Sequence, residues 1–161
     1  MSSMAANKKV RHAITLLLFV AYLILLFYFL FFSEGMGRAG VTAEYHYNLT
    51  PFKEIMRFIK YRDILGTEAL ILNIFGNIVA FMPFGFFVPK IIKRYKNAFH
   101  IVLYSFELSL LVEIFQLIFK IGSFDVDDLM LNTVGGLLGY IAYYLFEKIR
   151  SNHNGIWKKK A

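Results

Sequence analysis

Four stretches of the chain are apolar for about 20 residues each, the length that a helix needs to cross a hydrocarbon core of roughly 30 Å. These stretches predict four transmembrane helices, at Ala13–Phe32, Thr67–Val88, Ala98–Phe119 and Leu129–Phe146. Little of the 161 residues is left for a soluble domain. We therefore expect one all-α domain over residues 1–161, a polytopic membrane bundle of four transmembrane helices.

A shorter helix is predicted between the first two spans, at about residues 51–62. Asn48 or Thr50 is expected to cap it, and Pro51 suits its first turn. Its apolar residues have the spacing i, i+3, i+4, i+7 of one amphipathic face: Phe52, Ile55, Met56 and Ile59. The helix is too short and too charged to span, so we expect it on the outside. Its apolar face would lie either in the membrane boundary or over the mouth of the bundle.

The distribution of positive charge predicts the orientation of the chain. The formal net charge is +7, and the Lys and Arg residues number three before the first span, four in the loop 89–97 and five after Phe146. Because cytoplasmic segments carry the excess of Lys and Arg, both termini are expected in the cytoplasm. The first apolar run is longer than the core of a signal peptide and lacks a cleavage site, so we interpret it as a retained helix.

Composition excludes several other classes of function. The basic residues follow the membrane topology and form no nucleic-acid motif, so we expect no nucleic-acid partner. There is no cysteine, which excludes disulfides and thiol chemistry. The bilayer is the expected partner, and no cofactor is assigned.

Polar side chains interrupt three of the predicted spans. Such groups are costly in lipid and usually face the interior of a bundle. The residues concerned are Asn73, Asn77, Glu113, Gln116, Asp128 and Asn132. Given the alternating direction of the helices and a rise of 1.5 Å per residue, all but the deeper Asn77 fall in the outer third of the membrane. We expect one polar pocket there, with Pro51 and Phe52 above it.

Several interpretations of these residues stay open. Glu113 and Asp128 are candidates for acid–base catalysis, whereas Asn77 and Asn132 could simply hold helices together by hydrogen bonds. Asp125 and Asp127 are expected to be solvated loop charges, and no metal site is assigned. The only candidate ligand set for a cation is Asp125, Asp127 and Asp128.

Small residues and a proline complete the pattern. Gly135 and Gly139 have the small-xxx-small spacing that lets another helix approach closely, and Gly136 lies on the same stripe. Pro83 is expected to kink the second span near its inner end.

Four blocks of sequence occur in an order that resembles a known family: N-L-T-P-F (48–52), N-I-F-G-N-I-V-A-F-M-P-F-G (73–85), E-I-F-Q (113–116) and F-D-V-D-D-L-M-L-N-T-V-G-G-L-L-G-Y (124–140). In combination they resemble the VanZ-like membrane proteins of bacteria, from about residue 48 to 140. Many members carry an arginine where this chain has Gly122-Ser123, so Lys120 or a cation is expected to balance the acidic loop. The motif positions that carry over are Pro51, Phe52, Asn73, Gly76, Asn77, Pro83, Glu113, Gln116, Asp128, Asn132 and Gly136.

The resemblance implies a role in the envelope, at the bacterial plasma membrane. The family's founding member is associated with low-level teicoplanin resistance, and no catalytic activity is established for the family. Two hypotheses follow. The hypothesis we favour is a non-enzymatic module that binds a lipoglycopeptide or another envelope amphiphile in the polar pocket. An intramembrane enzyme would instead act on an envelope lipid through Glu113 and Asp128. The sequence leaves the oligomeric state open.

Overall fold

A computed structural model describes residues 2–32, 45–92 and 97–160 of the chain. Residues 93–96 of the predicted basic loop between the second and third spans lie outside the described residues. The elements in chain order are α1 (Ser2–Phe32), β1 (His46–Asn48), α2 (Lys53–Lys60), α3 (Arg62–Leu65), α4 (Thr67–Ile91), α5 (Ala98–Phe119), β2 (Ser123–Asp125) and α6 (Val126–Lys160).

The prediction of four spanning helices in an all-α protein is confirmed. Among the described residues, the helical segments long and apolar enough to cross a membrane are Lys9–Phe31, Thr67–Ile91, Ala98–Phe119 and Val126–Asn152. The second and fourth extend beyond the predicted ends at Val88 and Phe146. Pro83 lies inside α4, which continues as one helix through it to Ile91.

The short helix differs in detail from its prediction. It begins at Lys53, ends at Lys60 and is followed by the single turn of α3. Gly66, with a φ of 90°, is then the N-cap of α4, which begins at Thr67. Of the α2 side chains, Ile55 and Phe58 are half-buried against the bundle. Phe52, Met56 and Ile59 of the predicted apolar face are exposed, so this face is divided between protein and surroundings.

Helix α4 lies at the centre of the bundle and packs against α1, α5 and α6. One buried cluster joins α1 to α4 and α5 through Leu26, Leu30, Phe81 and Val112. The Tyr22 hydroxyl donates a hydrogen bond of 2.8 Å to the Ala80 carbonyl oxygen, which adds a polar contact between α1 and α4.

Glycines set the close approach of α6 to α4. A Cβ built on Gly135 would lie 2.2 Å from the Ile78 carbonyl oxygen, and one on Gly139 would lie 1.9 Å from that of Met82. These distances are shorter than any real Cβ contact, so the two backbones are in direct contact at both positions. The small residues therefore fix how deeply α6 inserts beside α4.

Candidate functional site

Two three-residue strands hold the chain segment before α2 against the loop before α6. Strands β1 and β2 pair in parallel, with Asn48 opposite Asp125. The Asn48 Nδ2 donates a hydrogen bond of 3.0 Å to Asp125 Oδ1, and its Oδ1 accepts one of 3.1 Å from the Thr50 amide. Three-residue strands are too short to show a period-2 pattern, which is why the sequence did not predict them.

Asp127 caps helix α2 from a distant part of the chain. Its Oδ1 accepts a hydrogen bond from the Phe52 amide at 2.5 Å, and its Oδ2 accepts from the amides of Glu54 and Ile55 at 2.8 and 3.0 Å. The side chain of the N-cap residue Phe52 makes no capping hydrogen bond. The prediction that Asn48 or Thr50 caps this helix is therefore wrong, because capping rules search only the adjacent sequence.

Asp127 is also not a solvated loop charge, since it is only 1% exposed. A buried carboxylate needs hydrogen-bond donors or positive charge around it. The first turn of α2 supplies both, because its backbone N–H groups are free of intrahelical partners and carry the positive end of the helix dipole. The carboxylate and the helix end therefore stabilise each other.

Asp125 is likewise buried, at 9% exposure, and the prediction that it is solvated is wrong. Its Oδ1 accepts from the Asn48 side chain and, at 2.8 Å, from the Asp127 amide. Its own amide donates to Glu113 Oε2 at 2.9 Å. Burial raises the pKa of the Asp125 carboxyl, while the hydrogen bonds from the Asp127 amide and from Asn48 oppose that rise.

Asp128 faces a third environment. Its Oδ1 accepts a hydrogen bond of 2.6 Å from Asn77 Nδ2, which joins the start of α6 to α4. Asp125, at the end of β2, and Asp127 and Asp128, in the first turn of α6, thus each have different partners. The described part of the chain has no group of three or more His, Cys, Asp or Glu placed to hold a metal ion. Donors from the chain itself stabilise these charges, and the Lys120 ammonium lies over the Tyr45 ring, 4.5 Å from its centre.

A pocket of about 970 Å³ opens between α2, α3, α4 and the acidic loop. Asn73 and Asn77 line it from one face of α4, and Asp128 lines it from α6. Glu54 and Arg57 contribute from α2. The described residues that line it are Glu54, Arg57, Phe58, Leu65, Gly66, Thr67, Glu68, Ala69, Leu72, Asn73, Asn77, Ser123, Asp125 and Asp128.

Three of the predicted site residues lie behind the pocket and do not line it. Glu113, Gln116 and Asn132 are each 2% exposed or less. Gln116 Nε2 donates to the Leu30 carbonyl oxygen at 3.0 Å, and Asn132 Nδ2 donates to Ser109 Oγ at 2.9 Å. The Asp125 amide also donates a hydrogen bond to Glu113 Oε2. Together these contacts join α1, α5, α6 and β2. The single predicted constellation is therefore divided into a pocket surface and a buried polar layer beneath it.

Pro51 and Phe52 lie at the start of α2, outside the pocket lining, and Phe52 is 55% exposed. Its φ of 64° places the backbone in the left-handed region, which directs its amide to Asp127. Gly76 lies on α4 with nothing within 4 Å of an added Cβ, whereas Gly136 would place one 1.9 Å from Ser105 Oγ.

Sequence reasoning missed several residues of this region. Glu54, Arg57 and Glu68 line the pocket, and no motif in the sequence marks them as site residues. Ser109 was detectable, because it lies four residues before Glu113 on the same helix face. Nothing in the sequence near Asp127 indicates that it reaches α2.

The four spanning helices, with polar groups gathered at one end beneath a capped short helix, define a small multi-pass α-helical membrane protein. A sequence profile described as VanZ/LLP1 matches residues 19–147, and the chain belongs to this family.

Protein VanZ from Enterococcus faecium is 37% identical to this chain over 105 residues, which are 63% of this chain and 54% of that protein. The chain thus spans about half the length of this curated relative. No solved structure matches the chain.

Proposed function

We propose that the pocket binds the polar end of an envelope amphiphile at the outer leaflet of the bacterial plasma membrane. The observation that carries this proposal is the composition of the pocket wall. Amides and carboxylates such as Asn73, Asn77 and Asp128 share it with apolar side chains such as Phe58 and Leu72. Ligand sites typically combine an apolar wall with a few placed polar groups.

The orientation of the chain supports an outward-facing pocket. The Lys and Arg distribution favours cytoplasmic termini, and the pocket lies at the end of the bundle where α4 and α6 begin and α5 ends. With the N-terminus inside, that end faces outward. An amphiphile in the outer leaflet would then reach the pocket without crossing the membrane.

A binding pocket of this kind offers a physical route to glycopeptide tolerance. The resemblance to VanZ-like proteins and the similarity to protein VanZ suggest a role in tolerance of teicoplanin-type compounds. A lipid-tailed antibiotic anchors in the leaflet that this pocket faces. A site that sequesters the antibiotic there would lower the effective concentration of the antibiotic.

The alternative of an intramembrane enzyme is less well supported. Acid–base catalysis by Glu113 and Asp128 requires both carboxyl groups within reach of one reacting group. Asp128 lines the pocket, whereas Glu113 is 2% exposed and is hydrogen-bonded to the Asp125 amide. Glu113 is better placed to position the loop than to contact a substrate.

A pocket-filling substitution tests the proposal. Ala69→Trp places an indole on the pocket wall, while Val79→Trp adds the same group to an exposed position on the same helix. We expect native mass spectrometry of the wild type and Val79→Trp to show a retained amphiphile, and Ala69→Trp to retain none. Equal retention by both variants, at equal folded fraction, would rule out the pocket as the site.

The same pair separates binding from physiology. In a deletion strain, Val79→Trp should restore the teicoplanin susceptibility of the wild type and Ala69→Trp should not, with membrane levels compared by immunoblot. Restoration by Ala69→Trp would show that tolerance does not require this pocket.

A further inference from the structure

We infer that the amphiphile carries a positively charged headgroup, an ammonium or guanidinium; this inference rests on the proposed function of the pocket. Four elements each bring one carboxylate to the pocket wall: α2, α4, β2 and α6. The residues are Glu54, Glu68, Asp125 and Asp128. Arg57 is the single Lys or Arg among the described residues that line this pocket.

The charge of Arg57 is already engaged within the wall. Its Nη2 lies 2.6 Å from Glu54 Oε2, and its guanidinium carbon lies 5.0 Å from the centre of the Phe58 ring. Apart from this pair, the charged side chains among the described lining residues are Glu68, Asp125 and Asp128, and all three are acidic. A concave, partly apolar surface lined by one sign of charge focuses its potential into the cavity and concentrates ions of the opposite sign there. The field favours a cationic ligand and repels an anionic one.

The arrangement of the acids favours an organic cation over a metal ion. A hard metal ion needs several oxygens at 2.0–2.6 Å around one point, and the described residues contain no such group. The Asp125 and Asp128 carboxylates each also accept hydrogen bonds from neighbouring residues. Carboxylates spread over a cavity of about 970 Å³ match a larger headgroup with distributed charge.

The apolar part of the pocket wall can contact the hydrocarbon chain of the amphiphile. Leu65, Leu72 and Phe58 line the same cavity as the acids. A headgroup among the carboxylates would leave its hydrocarbon chain against these residues. Burial of apolar surface contributes about 25 cal/mol per Å², so chain and headgroup would both contribute to affinity.

Three probes that share a dodecyl chain test this inference: dodecyltrimethylammonium, dodecyl maltoside and dodecyl sulfate. The full-length protein in phosphatidylcholine nanodiscs would be titrated with each probe, and specific binding taken as the part that Ala69→Trp removes. We expect the ammonium probe to bind about tenfold more tightly than the maltoside, and the sulfate to bind weakest, since opposite charges attract and like charges repel across a partly apolar cavity.

Charge variants make the test specific. Glu68→Gln removes a charge from the wall and Ser123→Lys adds an opposite one, and each should weaken the ammonium probe by about fivefold without changing the maltoside. Asp63→Asn is the matched control, because Asp63 is exposed on α3 and does not line the pocket. It should leave the affinity for all three probes unchanged.

The remaining outcomes separate this inference from the proposed function. Equal specific binding of the ammonium and maltoside probes, unaffected by Glu68→Gln, would overturn charge selection and leave the pocket as a binding site. Displacement of the ammonium probe by micromolar Ca²⁺ through Asp125 and Asp128 would overturn the organic cation in favour of a metal ion. No difference between wild type and Ala69→Trp for any probe would overturn the proposed function itself.

Discussion

Asp127 accepts hydrogen bonds from the backbone of a helix that begins about 75 residues earlier in the chain. Hydrogen bonds to a charged acceptor are stronger than neutral ones, and three of them converge on one buried carboxylate. The neighbouring Asp125 carboxylate accepts a hydrogen bond from the Asn48 side chain, and the Asp125 amide donates one to Glu113. At the scale of residues, the segment 125–127 therefore fixes the position of α2, and α2 forms one wall of the pocket.

We predict that Asp127→Ala lowers the free energy of unfolding by about 2–3 kcal/mol, since a charged cap and its partner amides are lost together in a buried place. Asp127→Asn should be less damaging, because one acceptor oxygen remains. Unfolding of the purified protein in detergent, followed by circular dichroism against denaturant, measures the difference. Asp63→Ala, at an exposed acid, is the control. A change below about 0.5 kcal/mol for Asp127→Ala would show that the cap contributes little.

Part of the residue-scale description could be predicted from sequence. Asn73 and Asn77 were expected in a polar pocket, and both line one, since residues four apart share a helix face. Glu113 and Gln116 were expected to avoid lipid, and both are buried. The spacing could not reveal which polar residues line the pocket and which are buried beneath it. Whether a buried polar group faces a pocket or another helix depends on the neighbouring chain segments.

At the scale of elements, the pair α4 and α6 dominates the bundle. Gly135 and Gly139 lie against carbonyl oxygens of α4, one turn apart. This spacing serves packing within the chain. Because both Asn77 and Asp128 belong to this helix pair, its separation also sets the geometry of the pocket floor.

We predict opposite effects of alanine at two glycines. Gly139→Ala would force a Cβ to 1.9 Å from the Met82 carbonyl oxygen, so the helices must separate at a cost of about 1–3 kcal/mol. Gly76→Ala meets nothing within 4 Å and should stabilise the protein by about 0.5–1 kcal/mol, as alanine favours the helix. Thermal unfolding midpoints in one detergent compare the two. If both variants shifted the midpoint in the same direction, the close approach at Gly139 would not be limiting.

At the scale of the whole molecule, orientation in the membrane decides what reaches the pocket. The chain has no native cysteine, so single cysteines can report topology without background. We predict that Lys60→Cys, at the end of α2, reacts with a membrane-impermeant maleimide on intact cells. Asn97→Cys, at the exposed N-cap of α5 on the opposite side, should react only after permeabilisation. The reverse pattern would place the pocket in the cytoplasm and contradict the proposed route for an outer-leaflet amphiphile.

The sequence alone determined the spanning helices, their number and their approximate ends, because crossing a bilayer requires a long apolar run that is visible locally. It also identified the polar residues that avoid lipid and the glycines suited to close helix contact. Only the tertiary structure decided which polar residues share a surface. The cap of α2 by Asp127 and the pairing of Asn48 with Asp125 join segments that are 75 and 77 residues apart in the chain. The hydrogen bond from the Asp125 amide holds Glu113 away from the pocket. Such contacts leave no periodic pattern in the sequence, since their energy comes from burial and hydrogen bonding that exist only once the helices have packed.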